Sequence, residues 1–158
     1  MRVEAPIKVD RKTKKLAKRL SAGEIAVINH IDIDEVAANS LVERKIKLVI
    51  NAAPSISGRY PNKGPKILID NNILIIDNVG ENVFEELKEG QVIEVNNGQI
   101  YRDGQFIGSG EVMDKSVVEK RTQIAYENMS VELDRFIDNT IEYAKREKGF
   151  ILGETEIP

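Results

Sequence analysis

Cysteine is absent from the 158 residues, which removes disulfides, thiolate metal ligands and cysteine nucleophiles. A single histidine, His30, excludes a multi-histidine zinc centre. The opening Met1-Arg2-Val3-Glu4-Ala5-Pro6 lacks the apolar stretch of a signal peptide, and no run of about eighteen apolar residues is present to span a membrane. These absences predict a soluble, cytoplasmic protein in a reducing compartment. Excess charge of one sign is missing as well. Charged residues make up 31% of the chain but the net charge is only −3, so no nucleic-acid coat is expected.

What is present reads as an α/β pattern with a single core. Residues 24–28, 46–50 and 73–76 are short apolar runs that read as strands, separated by helical segments at 34–44 and 65–70 and followed by another at 82–88. Such βα steps predict a mainly parallel sheet. Asp34 is the expected N-cap of the first of these helices, Pro65 occupies the first helical position of the second, and Asn71-Asn72 can close it in a left-handed turn. Asn97-Gly98 and Asp103-Gly104 separate strands at 92–95, 99–102 and 105–107, which predicts an antiparallel meander.

Two segments carry alternatives. Asp10 is placed to cap a basic helix at 11–20, whose lysines and arginines either face water or meet phosphate, anionic lipid or an acidic partner. The helical pattern at 114–148 would span on the order of 50 Å, longer than a small domain is wide. It either kinks back across the sheet, or it leaves the core as a homodimer interface or as a strut to another domain. The chain thus divides into an α/β domain at 1–112, a long helix at 113–150, and residues 151–158, which read as the start of a linker in a longer protein.

The segment 51–65, Asn-Ala-Ala-Pro-Ser-Ile-Ser-Gly-Arg-Tyr-Pro-Asn-Lys-Gly-Pro, is the most distinctive in the chain. It follows a strand, and parallel strands gather their carboxyl-end loops on one edge, where ligands bind. Three loops should therefore meet: 29–32 with His30 and Asp32, 52–62 with Ser55, Ser57, Gly58, Arg59, Tyr60 and Asn62, and 77–80 with Asp77. Arg59 offers a planar fork to carboxylate or phosphate, Ser55, Ser57 and the Gly58 backbone offer hydrogen bonds, and the helix starting at Pro65 aims its amino end at the same place. An anionic, phosphate-containing ligand is the expected guest. A serine nucleophile at Ser55 or Ser57, with His30 as base and Asp32 or Asp77 as its orienter, is the catalytic alternative, although no Gly-x-Ser-x-Gly elbow is present. Asp32, Asp34 and Asp77 are the carboxylates that could approach magnesium, Asp34 being more simply a cap. There is no Walker Gly-Lys-Ser/Thr. No residue is assigned a catalytic role, no cofactor is named, and enzymatic activity is not expected of this segment.

The blocks Gly23-Glu24-Ile25-Ala26-Val27-Ile28-Asn29-His30, Asn51 through Asn62, Gly64-Pro65, Ile76-Asp77-Asn78-Val79-Gly80, Leu87-Lys88-Glu89-Gly90 and Asn139-Thr140 resemble the amino-terminal region of SteA-like cytokinetic-ring proteins of Gram-positive bacteria. The resemblance implies a non-catalytic module of a cell-division protein, located at the division site and acting by protein–protein interaction, with a membrane partner of the SteB type. Full-length members of that family resemble thiamine pyrophosphokinases in their later half, with an acidic Gly-Asp-x-Asp-Ser motif and a hydrophobic tail. Neither is present in this sequence. The alternative it implies is an accessory anion- or nucleotide-binding domain serving that kinase-like half. The element order, ending in Leu87-Lys88-Glu89-Gly90-Gln91-Val92-Ile93-Glu94-Val95, also resembles the swivelling β/β/α phosphohistidine domains of phosphoenolpyruvate-utilising enzymes. The comparable loop, Ser55-Ile56-Ser57-Gly58-Arg59, has no histidine, so phosphoryl carriage is not implied.

Overall fold

The structure, a computed structural model, describes residues 1–154, with side chains through Gly149. The chain opens with a strand that sequence reasoning had tested only as a leader. In β1 (Arg2–Val9), Val3, Ala5, Ile7 and Val9 alternate with Arg2, Glu4, Pro6 and Lys8, the period of a strand with one apolar face. Next come α1 (Thr13–Ala17), β2 (Ile25–Ile28), α2 (Glu35–Val42), β3 (Leu48–Asn51), α3 (Gly64–Asp70), β4 (Leu74–Asp77) and α4 (Glu81–Glu86). The meander β5 (Val92–Asn96), β6 (Gln99–Arg102) and β7 (Gln105–Ser109) follows, then a short β8 (Glu111–Met113) and α5 (Lys115–Glu154).

The strands form one sheet in the order β7-β6-β5-β1-β2-β3-β4-β8. Three of its seven neighbour pairs, β1·β2, β2·β3 and β3·β4, are parallel, and the other four are antiparallel. The expected mainly parallel sheet is therefore mixed: a parallel centre is continued by antiparallel strands on both sides. β1 causes much of the difference. Its residues from Arg2 to Pro6 pair antiparallel with β5, and Ile7 to Val9 pair parallel with β2. The handover falls at Pro6, which has no N–H with which to continue a ladder. β8 was not foreseen either, because a three-residue pairing is too short to show a period.

Both faces of the parallel centre are buried. Ala26, Ile28, Val49 and Ile75 face a helical layer of Leu16, Ala38, Leu41, Leu68 and Val118. Ile25, Val27, Leu48, Ile50 and Ile76 face the opposite way, onto Phe84, Leu87, Ile93, Val95 and Ile100. The meander is thus rolled over the second face, giving helices, central strands and meander as three layers. Each fully buried Leu or Ile contributes roughly 1.5–3 kcal/mol. The roll is held by the Asn97-Gly98 turn, where φ values of 49° and 88° suit these two residues and the Gly98 carbonyl accepts from Gly110 N–H at 2.9 Å.

Asp34 caps α2 as expected, accepting from Ala37 N–H at 2.7 Å. Asn72, at φ 61°, makes the left-handed turn after α3. The basic helix is shorter than expected. α1 spans Thr13–Ala17, and Asp10 accepts from Lys12 N–H at 2.9 Å, turning the chain ahead of the helix instead of capping a helix that starts at Arg11. Arg11 pairs with Glu81, and Arg19 with Glu89 at 2.6 Å, so part of the basic face is tied to the body.

α5 is longer than expected. It is capped by Asp114, which accepts from Val117 N–H at 3.0 Å, and it continues through Gly149 to Glu154, into the segment expected to be linker. Residues 155–158 of that expected linker lie outside the described residues. The 40 residues of α5 make a rod of about 60 Å. It does not kink back. Among its residues described with side chains, only Val118 and Ala125 are buried, and every residue from Tyr126 to Gly149 is exposed. Among the described residues, no helix is long and apolar enough to cross a membrane.

Candidate functional site at the carboxyl edge of the parallel strands

The apolar strand β3 ends on Asn51, whose side chain is fully buried and uses all of its hydrogen-bonding capacity. Its Oδ1 accepts from the N–H groups of His30 (3.0 Å) and Ala53 (3.1 Å). Its Nδ2 donates to the His30 carbonyl (2.8 Å) and to Ser55 Oγ (2.7 Å). The Asn51 backbone carbonyl receives Val79 N–H at 3.0 Å. One side chain and its own peptide therefore bind the loops after β2, β3 and β4 together. The expected convergence of the three loops is present, with Asn51 at its centre.

The remaining polar groups complete this frame. Asp32 N–H donates to the Pro54 carbonyl, and Ile33 N–H to the Ser55 carbonyl. The Asp32 carboxylate accepts from Ser57 N–H (2.6 Å) and Ser57 Oγ (2.8 Å). Asn62 Nδ2 bridges the carbonyls of Ser55 (2.8 Å) and Ile33 (3.0 Å), and its Oδ1 is buried without a partner. Buried Asp77 accepts from Ser55 N–H at 2.9 Å. Burial pushes the Asp77 carboxyl above its ordinary range; its hydrogen bonds with Ser55 and the Arg121 guanidinium at 3.9 Å pull the other way. Arg121 also pairs with Glu111.

This geometry does not assemble the serine triad. The His30 backbone belongs to the frame, but its ring turns away: Nδ1 lies 2.8 Å from Thr13 Oγ1 and Nε2 lies 3.9 Å from Asp34 Oδ2. Ser55 Oγ is buried against Asn51, and Ser57 Oγ is bonded to Asp32. Neither hydroxyl has the His30 imidazole as a base. The amino end of α3 is also unavailable to an anion. Gly64 N–H donates to the Ile33 carbonyl at 3.1 Å, Pro65 has no N–H, and a Cβ on Gly64 would lie 2.2 Å from that carbonyl oxygen. Asp32, Asp34 and Asp77 are employed in three different hydrogen-bonding tasks, and among the described residues no three acidic or histidine side chains are grouped to hold a metal ion.

Outside the frame lies an open rim. Ser57, Gly58, Arg59 and Tyr60 line a cleft of about 520 Å³, closed on its far side by Asn128, Val131 and Glu132 of α5. A second cleft of about 320 Å³, bounded by Ile56, Ser57, Gly58, Arg121 and Ile124, adjoins it. Asn128 Nδ2 donates to the Gly58 carbonyl at 2.8 Å, tying loop to helix. The Arg59 guanidinium stacks over Tyr60, 5.9 Å from its ring centre, and among the described residues it pairs with no carboxylate. Of the sequence-predicted residues, Asp32, Ser55, Asn62 and Asp77 thus build the frame with the His30 backbone, Ser57 links frame to rim, and Gly58, Arg59 and Tyr60 form the rim.

Sequence reasoning missed three contributors. Asn51 was visible as a polar residue ending an apolar strand, a position that calls for internal hydrogen bonds. Arg121 and Asn128 carried no signal, because their relation to loop 52–62 depends on where α5 lies. No protein-family model matches the sequence, and no curated protein sequence is significantly similar to it.

Proposed function

We propose that this chain is a non-catalytic module of a cytoplasmic, SteA-like cell-division protein and that it acts by protein–protein interaction through α5. One observation carries the reading: the helix holds Tyr126, Met129, Leu133, Phe136, Ile137 and Tyr143 in water, each at least 44% exposed, far beyond the body that anchors it. An isolated helical stretch with so many solvated apolar side chains gains nothing from them unless a partner covers them. The frame at the sheet edge, its polar groups bonded mainly to one another, agrees, since it rigidifies the base of the helix and does not bring His30 to a serine. We read the three layers as the swivelling β/β/α arrangement, used here as a mount for the helix. The parent protein's thiamine pyrophosphokinase-like half and a SteB-type membrane partner belong to the same proposal. The test is a fluorescent fusion of the full-length protein in its own cell. Wild type should collect at the division site and Leu133→Asp/Phe136→Asp should be diffuse at equal abundance; a diffuse wild type would refute the cell-division role.

A second reading has its own observation, the Arg59 fork, which pairs with no carboxylate among the described residues, at the rim of the 520 Å³ cleft. In it the module holds a phosphate-containing ligand for the kinase-like half. Thermal shift with inorganic phosphate and nucleotides should then stabilise wild type but not Arg59→Ala; equal shifts, or none, would exclude the site.

A further inference from the structure

The exposed face of α5 has a register as well as a composition. Tyr126, Met129, Leu133, Phe136, Thr140 and Tyr143 follow one another at spacings of 3, 4, 3, 4 and 3, the a/d pattern of a two-helix seam, and Ile137 and Ala144 flank it at e positions. Ala125 and Glu132 stand at g positions on one margin of this seam and Asn128 at c behind it, so the body and the cleft lie to one side of the a and d residues. The chain therefore does not cover its own seam. Thr140 does not prevent burial, because its hydroxyl already donates to the Phe136 carbonyl at 2.8 Å.

Charge along the rod is divided. Between 126 and 142 stand Glu127, Glu132, Asp134, Asp138 and Glu142 against Arg135 alone; between 143 and 149 stand Lys145, Arg146 and Lys148 against Glu147. Two copies laid parallel would set acid against acid. Laid antiparallel, Glu127 and Glu132 of each come level with the basic stretch of the other, and Asp134, Asp138 and Glu142 stand at the outward b, f and c positions. We propose that α5 pairs antiparallel with a second copy of this chain, in the register that sets Glu132 opposite Arg146. Both occupy the g position, and g faces g in an antiparallel pair. In this register Leu133 packs on Tyr143 of the second copy, Phe136 on Thr140, and Ile137 on its own counterpart beside the two-fold axis. The intrahelical pairs Arg135–Glu132 and Arg146–Glu142 are solvent-exposed and give way readily. The helix is thereby self-complementary in shape and in charge, which argues for a second copy over an unrelated partner.

This inference rests on the proposed interaction role of α5 and names its partner. Sedimentation equilibrium of the full chain should give twice 17.7 kDa, and Phe136→Asp should give the monomer with the body still folded by near-ultraviolet circular dichroism. Glu132→Arg and Arg146→Glu should each weaken the dimer about tenfold, and the two together should restore it. Orientation is read from a nitroxide on Glu127→Cys, the chain having no cysteine of its own. Antiparallel labels sit about 35 Å apart, because about 22 residues at about 1.5 Å separate them along the axis, whereas parallel labels would lie within about 20 Å. A wild-type monomer at 100 µM, a short inter-label distance, or a double charge swap that fails to restore the dimer would overturn the pairing. If the chain is monomeric yet Leu133→Asp/Phe136→Asp abolishes division-site localisation, only the second copy is refuted.

Discussion

Replacing Asn51 with alanine removes the side chain that ties the loops after β2 and β3 together, while its backbone bond to Val79 of the third loop remains. Four hydrogen bonds are lost, and the N–H groups of His30 and Ala53 and the carbonyl of His30 are left without that partner beside a fully buried position. At about 1 kcal/mol for each net hydrogen bond, with an unsatisfied buried group costing about 1–3 kcal/mol, Asn51→Ala should destabilise by about 3–5 kcal/mol. For a chain of this size that corresponds to a Tm about 6–20 °C lower. Asn51→Asp is the informative companion. It keeps the acceptor for the His30 and Ala53 N–H groups but cannot donate to the His30 carbonyl or Ser55 Oγ, and it adds a buried charge near Asp77. It should therefore be no more stable than the alanine variant at neutral pH. Urea unfolding followed by circular dichroism measures both. A loss below about 1 kcal/mol for Asn51→Ala would mean that the loops hold one another without this residue, and the account of the edge as a frame centred on Asn51 would be wrong.

Other substitutions test the same frame. The Asp77 carboxyl is raised above its ordinary range chiefly by burial, so the folded state holds its proton at pH values where the unfolded state has released it. That contribution is complete at low pH and is lost as pH rises through the raised value, so Tm of Asp77→Asn minus Tm of wild type should grow between pH 4 and pH 7; a constant or shrinking difference would refute the assignment. The carboxyls of Glu81 and Glu89, lowered by Arg11 and Arg19, act with the opposite sign but are common to both proteins and cancel. Gly64→Ala drives a methyl group against the Ile33 carbonyl oxygen and should cost about 1–3 kcal/mol in urea unfolding, whereas an unchanged midpoint would show that α3 can back away from loop 29–33.

The sequence made the central βα steps legible because each strand is a short apolar run bounded by polar caps, and Asp34, Pro65 and Asn72 mark helix ends with their own local chemistry. β1 carries the alternation of a strand, but Pro6 interrupts it and most of it pairs with a strand some 90 residues away, so no local partner marks it. Convergence of the three loops was legible from the parallel strands alone. That the polar groups there are bonded mainly to one another was not: residue types announce hydrogen-bonding capacity, but only the fold shows that Asn51, Asp32 and Asp77 use it internally. The rim was half visible, since Arg59 and Tyr60 stand in the loop, while Asn128 and Arg121 reach it from a helix whose placement no local pattern encodes. Along α5 the helical pattern was legible and its length was not, for Gly149 reads as a stop and the helix passes through it.

Amide hydrogen exchange across 126–149 of the full chain, followed over a hundredfold range of protein concentration, tests the central claim most directly. If the exposed face of α5 is the working surface and a second copy covers it, these amides should become more protected as concentration rises, and Phe136→Asp should abolish that dependence while leaving protection in β2, β3 and β4 unchanged. Exchange in this segment that is equally fast at every concentration, in wild type and variant alike, would contradict the account.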